Sequence, residues 1–156
     1  MTSKLMLFTT ALCLAYAGTG LAADTSGKGV SKDEYKAEKD HIKADAKAAR
    51  DKCKGMSGNA KDICMAEAKG NEKVAKAELE ARYKPTAKNE RNVAMAKADA
   101  EYGTAKERCD DKAGKDKDAC KKEAKAAHSR AVAEAKADTK TAEAKQERRE
   151  SKGANK

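Results

Sequence analysis

The chain has 156 residues, a formal net charge of +9 and 39% charged residues, but only 3% aromatics and no tryptophan. This excludes a large apolar core and argues against a compact globule, because too little apolar surface is present to offset chain entropy. It also argues against a nucleic-acid binder, which would add stacking aromatics or a recognition motif.

The N-terminal stretch MTSKLMLFTTALCLAYAGTGLAAD starts with a positive Lys4. It continues as an apolar run from Leu5 to Ala17, broken only by Thr9 and Thr10, and closes on Gly20-Leu21-Ala22. This is the pattern of a secretory signal peptide over residues 1–23, cleaved near Ala22 or Ala23. The competing reading is an uncleaved anchor, but the run is short beside the roughly 20 residues a membrane span needs. Leu12 is too large for a lipoprotein cleavage site before Cys13. Export to the periplasm or beyond is therefore expected. Cleavage removes Lys4 and Cys13 and leaves four cysteines, Cys53, Cys64, Cys109 and Cys120. An even number in an oxidising compartment favours disulfides.

Beyond the leader, the only Leu, Ile, Val and Phe residues are Val30, Ile42, Ile63, Val74, Leu79, Val93 and Val132. Abundant Ala, Lys and Glu nevertheless favour helix locally. Residues 24–30 read as a flexible leader. Ser31 and Glu34 then form a capping box that starts a first helix. Its inward stripe is Tyr35, Ile42, Ala46, Ala49 and Cys53, at helical spacing. Gly55 and Gly58 break it, and Ser57 or Asn59 is placed to cap a second helix. That helix runs from about Ala60 to Tyr83, with Cys64, Ala68, Ala75 and Leu79 on one face. Pro85 ends it. A third helix covers about Ala87 to Lys112, with Met95, Ala98, Tyr102, Ala105 and Cys109 as its stripe. After a turn at Gly114 and Lys115, a fourth starts near Asp116, carries Cys120, Ala124, Ala127 and Ala131 inward, and reaches about Glu150. Residues 151–156 read as a disordered tail.

Positions 56 apart match. Cys53, Gly58, Lys61, Asp62 and Cys64 recur as Cys109, Gly114, Lys117, Asp118 and Cys120. The expected fold class is all-α, with two tandem disulfide-stapled helical hairpins over residues 31–84 and 85–150, elongated or loosely bundled. Each cysteine sits about one turn from a bend, on the alanine stripe facing the partner helix. Small alanines permit the close approach a disulfide needs, which predicts the pairs Cys53–Cys64 and Cys109–Cys120. Two other readings compete. Zinc or copper sites favour shorter cysteine spacing and nearby histidines, and redox-active thiols favour C-x-x-C. Neither pattern is present.

His41 and His128 stand among charged residues and read as solvated. No sequence is seen that would wall a catalytic pocket, and Ser57, Ser129 and Ser151 fall in turn or exposed contexts. No catalytic residue, metal ligand or cofactor is expected. The basic excess has two readings, a solvated helical surface or a binder of polyanions such as lipopolysaccharide, anionic lipid or peptidoglycan. Basic and acidic residues interleave, which favours pairing along helix surfaces.

The stretches AEAKGNEKVAKAELEARYK and KKEAKAAHSRAVAEAKADTKTAEAKQE resemble the long helical middle region of TolA, a cell-envelope protein. YKAEKDHIKADAKAARDKC followed by SGNAKDIC is similar to small exported proteobacterial proteins labelled TolA-like. The resemblance spans about residues 31–150. TolA's retained membrane helix and folded C-terminal domain are not expected here, so its membrane-linking role and its functional residues are not carried over. The expectation is a non-enzymatic structural or interaction protein of the envelope, with a polyanion-binding or stress-protective periplasmic protein as the alternative. Its partner would be an envelope protein or an anionic envelope polymer, and nucleic acid is not an expected partner.

Overall fold

Four helices follow one another: α1 Lys32–Cys53, α2 Gly58–Tyr83, α3 Ala87–Cys109 and α4 Gly114–Gly153. They come from a computed structural model that describes residues 29–153. The expected signal peptide at 1–23 with Cys13, most of the expected 24–30 leader and the end of the tail lie outside the described residues. No strand occurs among the described residues, so the all-α expectation holds.

Local chemistry explains the helix ends. Ser31 accepts from the Glu34 amide at 3.2 Å, and the Glu34 carboxylate accepts from the Ser31 amide at 2.8 Å. That is the reciprocal box read from the sequence. These bonds also hold the Glu34 carboxyl below its usual range, the backbone bond first. Both bends use a glycine in the left-handed region, Gly58 at φ 56° and Gly114 at φ 51°, where a Cβ would be strained. Thr86 caps α3 by accepting from the Asn89 amide at 3.1 Å.

The helix ends depart from expectation in several places. Neither Ser57 nor Asn59 makes a side-chain cap bond on α2. Ser57 stands at the N-cap without a side-chain bond, while Asn59 donates to the Glu107 carbonyl of α3 at 2.7 Å. α3 stops at Cys109 rather than near Lys112, because the bend begins there. α4 starts at Gly114 and runs to Gly153, three residues into the segment assigned to the tail.

The helices form an open row. α1 packs on α2, α2 on α3 and α3 on α4, with the α2/α3 seam the most extensive. Among the described residues no other pair of helices is in contact. α1 and α4 therefore do not close into a bundle, and each helix relies on its chain neighbours, as in a repeat array. The core is thin, as composition required. Its large buried side chains are Ile42 and Leu79, joined by Cys53, Cys109 and a line of alanines, Ala46, Ala68, Ala98 and Ala135. Leu79 is 1% exposed.

Gly70 explains how α2 and α3 approach so closely. A Cβ there would lie 2.7 Å from the Ala100 Cβ and 3.1 Å from its Cα. Only a residue without a side chain fits. Gly70 was absent from the predicted stripes because glycine carries no hydropathy signal. α4 also differs from its predicted stripe. Ala127 is exposed, and His128, Ala131, Ala135 and Thr139 take the inward line that continues from Cys120 and Ala124. From residue 141 to 153 every position is exposed.

Candidate functional site

The two bends lie at the same end of the row, since the helices alternate in direction. Each carries a disulfide, Cys53–Cys64 and Cys109–Cys120, each with a Cα–Cα distance of 5.6 Å. This falls within the range a bridge requires and matches the pairing read from the alanine stripes. The members of each pair differ in exposure. Cys53 and Cys109, at the ends of α1 and α3, are each 1% exposed. Cys64 and Cys120, nearly two turns into the following helices, are half-buried. The Asn59 bond to Glu107 ties the first bend to the α3 end of the second.

Charge reinforces both bends. Asp51 accepts from Lys47 at 2.7 Å and Lys54 at 2.6 Å. Those two lysines, Lys47 first, hold its carboxyl down at about 2. Asp110, the residue after α3, accepts from Lys121 at 2.8 Å and Lys117 at 2.9 Å. Lys121 and then Lys117 lower it likewise to about 2.

Away from the bends, the α1/α2 seam is closed by a Tyr35–Tyr83 ring pair at 4.5 Å and by the Tyr35 hydroxyl donating to Glu80 at 2.8 Å. That bond to a carboxylate raises the Tyr35 pKa. Arg82 reaches Glu38, and Arg50 reaches Glu72. Lys76 and then Arg50 lower the Glu72 carboxyl. The α2/α3 seam carries Lys97–Glu78 and Arg108–Glu67, each at 2.8 Å.

The two histidines part company. His41 is exposed, as read, with Nδ1 2.9 Å from Asp45 one turn on. His128 is not solvated as expected. Its side chain is 25% exposed, it stacks on Tyr102 of α3 at 4.9 Å, and its Nε2 lies 2.6 Å from Asp99. The expected stripe of the fourth helix holds at Cys120, Ala124 and Ala131 but passes through Ala127 where His128 turns inward. Ser57, Ser129 and Ser151 are exposed. Among the described residues no three His, Cys, Asp or Glu side chains gather closely enough to hold a metal ion. No described helix is long and apolar enough to cross a membrane.

The row has grooves on its faces. One of about 300 Å³ runs along the α2/α3 seam past Gly70 and Gly103, with Asp62, Lys69, Lys73 and Asp99 on its rims. Another, of about 760 Å³, is lined by α2, α3 and α4 and includes Glu67, Thr104, Arg108, Lys112 and Cys120. Both are open and rimmed by charges of both signs. Such an arrangement suits contact with a broad charged surface better than enclosure of a small molecule, which needs a concave and mostly apolar site.

Comparison of the chain with protein-family models, with characterised proteins and with solved structures found no match.

Proposed function

We propose that this is an exported, non-enzymatic interaction protein of the cell envelope, which works by holding charged helical surfaces at a fixed spacing. The observation that supports this most is the open row. Helices that touch only their chain neighbours leave two broad faces exposed, and those faces carry interleaved, cross-paired charges. The two disulfides fit an oxidising compartment, where such bridges persist. The leader pattern and the resemblance to TolA-like envelope proteins point the same way.

One observation favours a second reading, polyanion binding. The sequence of α4 holds twelve basic against eight acidic residues, whereas α2 holds equal numbers. Lys122, Lys125, Arg130 and Lys136 make no salt bridge among the described residues. A basic edge helix attracts anionic polymers in a salt-dependent way.

The test places a photo-crosslinking residue at Lys69 or Lys73 on one face, and at Arg130 on the α4 edge, in living cells. The expected result is one recurrent envelope protein captured from the α2/α3 face, with the chain recovered oxidised outside the cytoplasm. Capture only from the α4 edge, with salt-sensitive binding to anionic vesicles or lipopolysaccharide, would instead establish the second reading. Recovery of the chain in the cytoplasm with reduced cysteines would overturn both.

A further inference from the structure

We propose that Cys120 is a thiol-exchange site, the position at which a low-molecular-weight thiolate enters the second disulfide, and that exchange there unlatches α4. Three observations lead to it. Cys109 is 1% exposed, whereas Cys120 is half-buried. Cys120 alone of that pair lines the groove of about 760 Å³, beside Thr104, Arg108 and Lys112. The seam behind it is built from small side chains. Its buried residues are Ala98, Thr104, Cys109, Ala135 and Thr139, with no large aliphatic side chain among them.

Exchange proceeds by attack of a thiolate on a sulfur it can reach. The incoming thiolate bonds to the Cys120 sulfur, and the bond to Cys109 breaks. The electron pair leaves on the Cys109 sulfur, which takes a proton from water. A second thiolate then attacks the sulfur of the attached group. This releases an oxidised thiol dimer and leaves Cys120 as a thiolate that is protonated in turn. Two electrons pass from two external thiols to the disulfide. Once the bridge is open, α4 is held to α3 by His128–Asp99, by Lys117 and Lys121 on Asp110, and by the alanine line.

The first hairpin sets the reference. Cys53 is also buried and Cys64 half-buried. Its groove, lined by both Cys53 and Cys64, is smaller, about 430 Å³, so the two bridges differ less in access than in the seam behind them. Ile42 and Leu79 bury large side chains in that hairpin, so the local opening that admits a reagent is rarer.

In the test, the oxidised full chain is exposed briefly to glutathione, quenched in acid, alkylated and mapped by mass spectrometry. Glutathione is expected on Cys120 with an alkylated Cys109, about tenfold ahead of any adduct in the first hairpin, following the difference in local opening. Hydrogen exchange should rise over residues 114–153 while 32–83 stays protected. Glutathione found first on Cys109, a first hairpin that reacts as fast, or no adduct while the chain stays folded would overturn the site. A Cys109→Ser, Cys120→Ser chain tests the latch without any thiol. Faster exchange confined to α4 is expected, and an α4 that stays protected in that variant would overturn the latch.

Discussion

In the α1/α2 hairpin, contacts continue from the Cys53–Cys64 bridge through Ile42 and Ala46 to the Tyr35–Tyr83 pair at the far end. In the α3/α4 hairpin they continue from Cys109–Cys120 through Tyr102 and His128 to Ala135 and Thr139, and then stop while α4 runs on exposed. The bends are alike in Cα–Cα distance and in their left-handed glycine. What differs is the seam beyond the bend. The first is anchored by large side chains and ion pairs along its length. The second is anchored by small side chains, by the His128 stack with its Asp99 pair, and by Lys117 and Lys121 on Asp110 beside the bend. A covalent bridge therefore contributes the same constraint to both hairpins but matters more to the second.

The largest expected effect breaks this comparison open. Closing a loop of about a dozen residues stabilises by about 3 kcal/mol on the entropic model. Because that contribution acts mainly on the unfolded chain, Cys53→Ser/Cys64→Ser and Cys109→Ser/Cys120→Ser should lose similar free energy. Their structural outcomes should differ. Without the first bridge, the Tyr35–Tyr83 pair, the Tyr35–Glu80 bond and Leu79 keep α1 against α2. Without the second, α4 detaches. Backbone resonances of the two double variants would check this. If α1 and α4 are released equally, the seams are not different in strength.

A smaller pair of substitutions sharpens the role of the central seam. Gly70→Ala inserts a methyl where Ala100 already stands, and overpacking of that kind costs about 1–3 kcal/mol. Gly103→Ala is the control, because a Cβ there meets nothing within 4 Å. Replacing an unhindered helical glycine by alanine should stabilise by about 0.5–1 kcal/mol. Opposite signs in denaturant unfolding are therefore expected from the same chemical change on facing helices. A neutral Gly70→Ala would mean that α2 and α3 shift apart freely.

Much of the fold was legible because it is local. The Ser31–Glu34 box, the bends at Gly58 and Gly114, the stop at Pro85 and both bridges each rest on a few neighbouring residues. The open row was less legible. Alanine spacing states that a face is small, but not which neighbour it meets or whether the ends close. Gly70 and His128 show the limit most clearly. Glycine has no side chain to register in a pattern, and its role depends on Ala100, thirty positions away. His128 sits beside Ala127 on an alanine-rich helix, and only Tyr102 and Asp99 of α3 select it as the inward residue. Asn59, like Ser57, stands where a cap would, yet it serves a carbonyl of another helix.

The smallest expected effect concerns acid, and it too separates the hairpins. Asp51 and Asp110 both have carboxyls held at about 2 in the folded chain, below the ordinary 3.8. A folded pKa below the unfolded one means the stabilisation is complete above about pH 4 and is lost as pH falls toward 2. Both groups are open to solvent, so screening keeps the effect small. Their partners differ in location. Lys47 and Lys54 belong to α1 and the residue just after it, so protonating Asp51 loosens only the last turn of α1. Lys117 and Lys121 belong to α4, so protonating Asp110 loosens the start of α4 from the end of α3. Between pH 4 and 2, amide protection in the first two turns of α4 should fall in the natural chain and stay level in Asp110→Asn, whose pairing is already lost. Asp51→Asn should leave that fall unchanged. A fall of the same size in Asp110→Asn would show that some other group carries the acid sensitivity of the second hairpin.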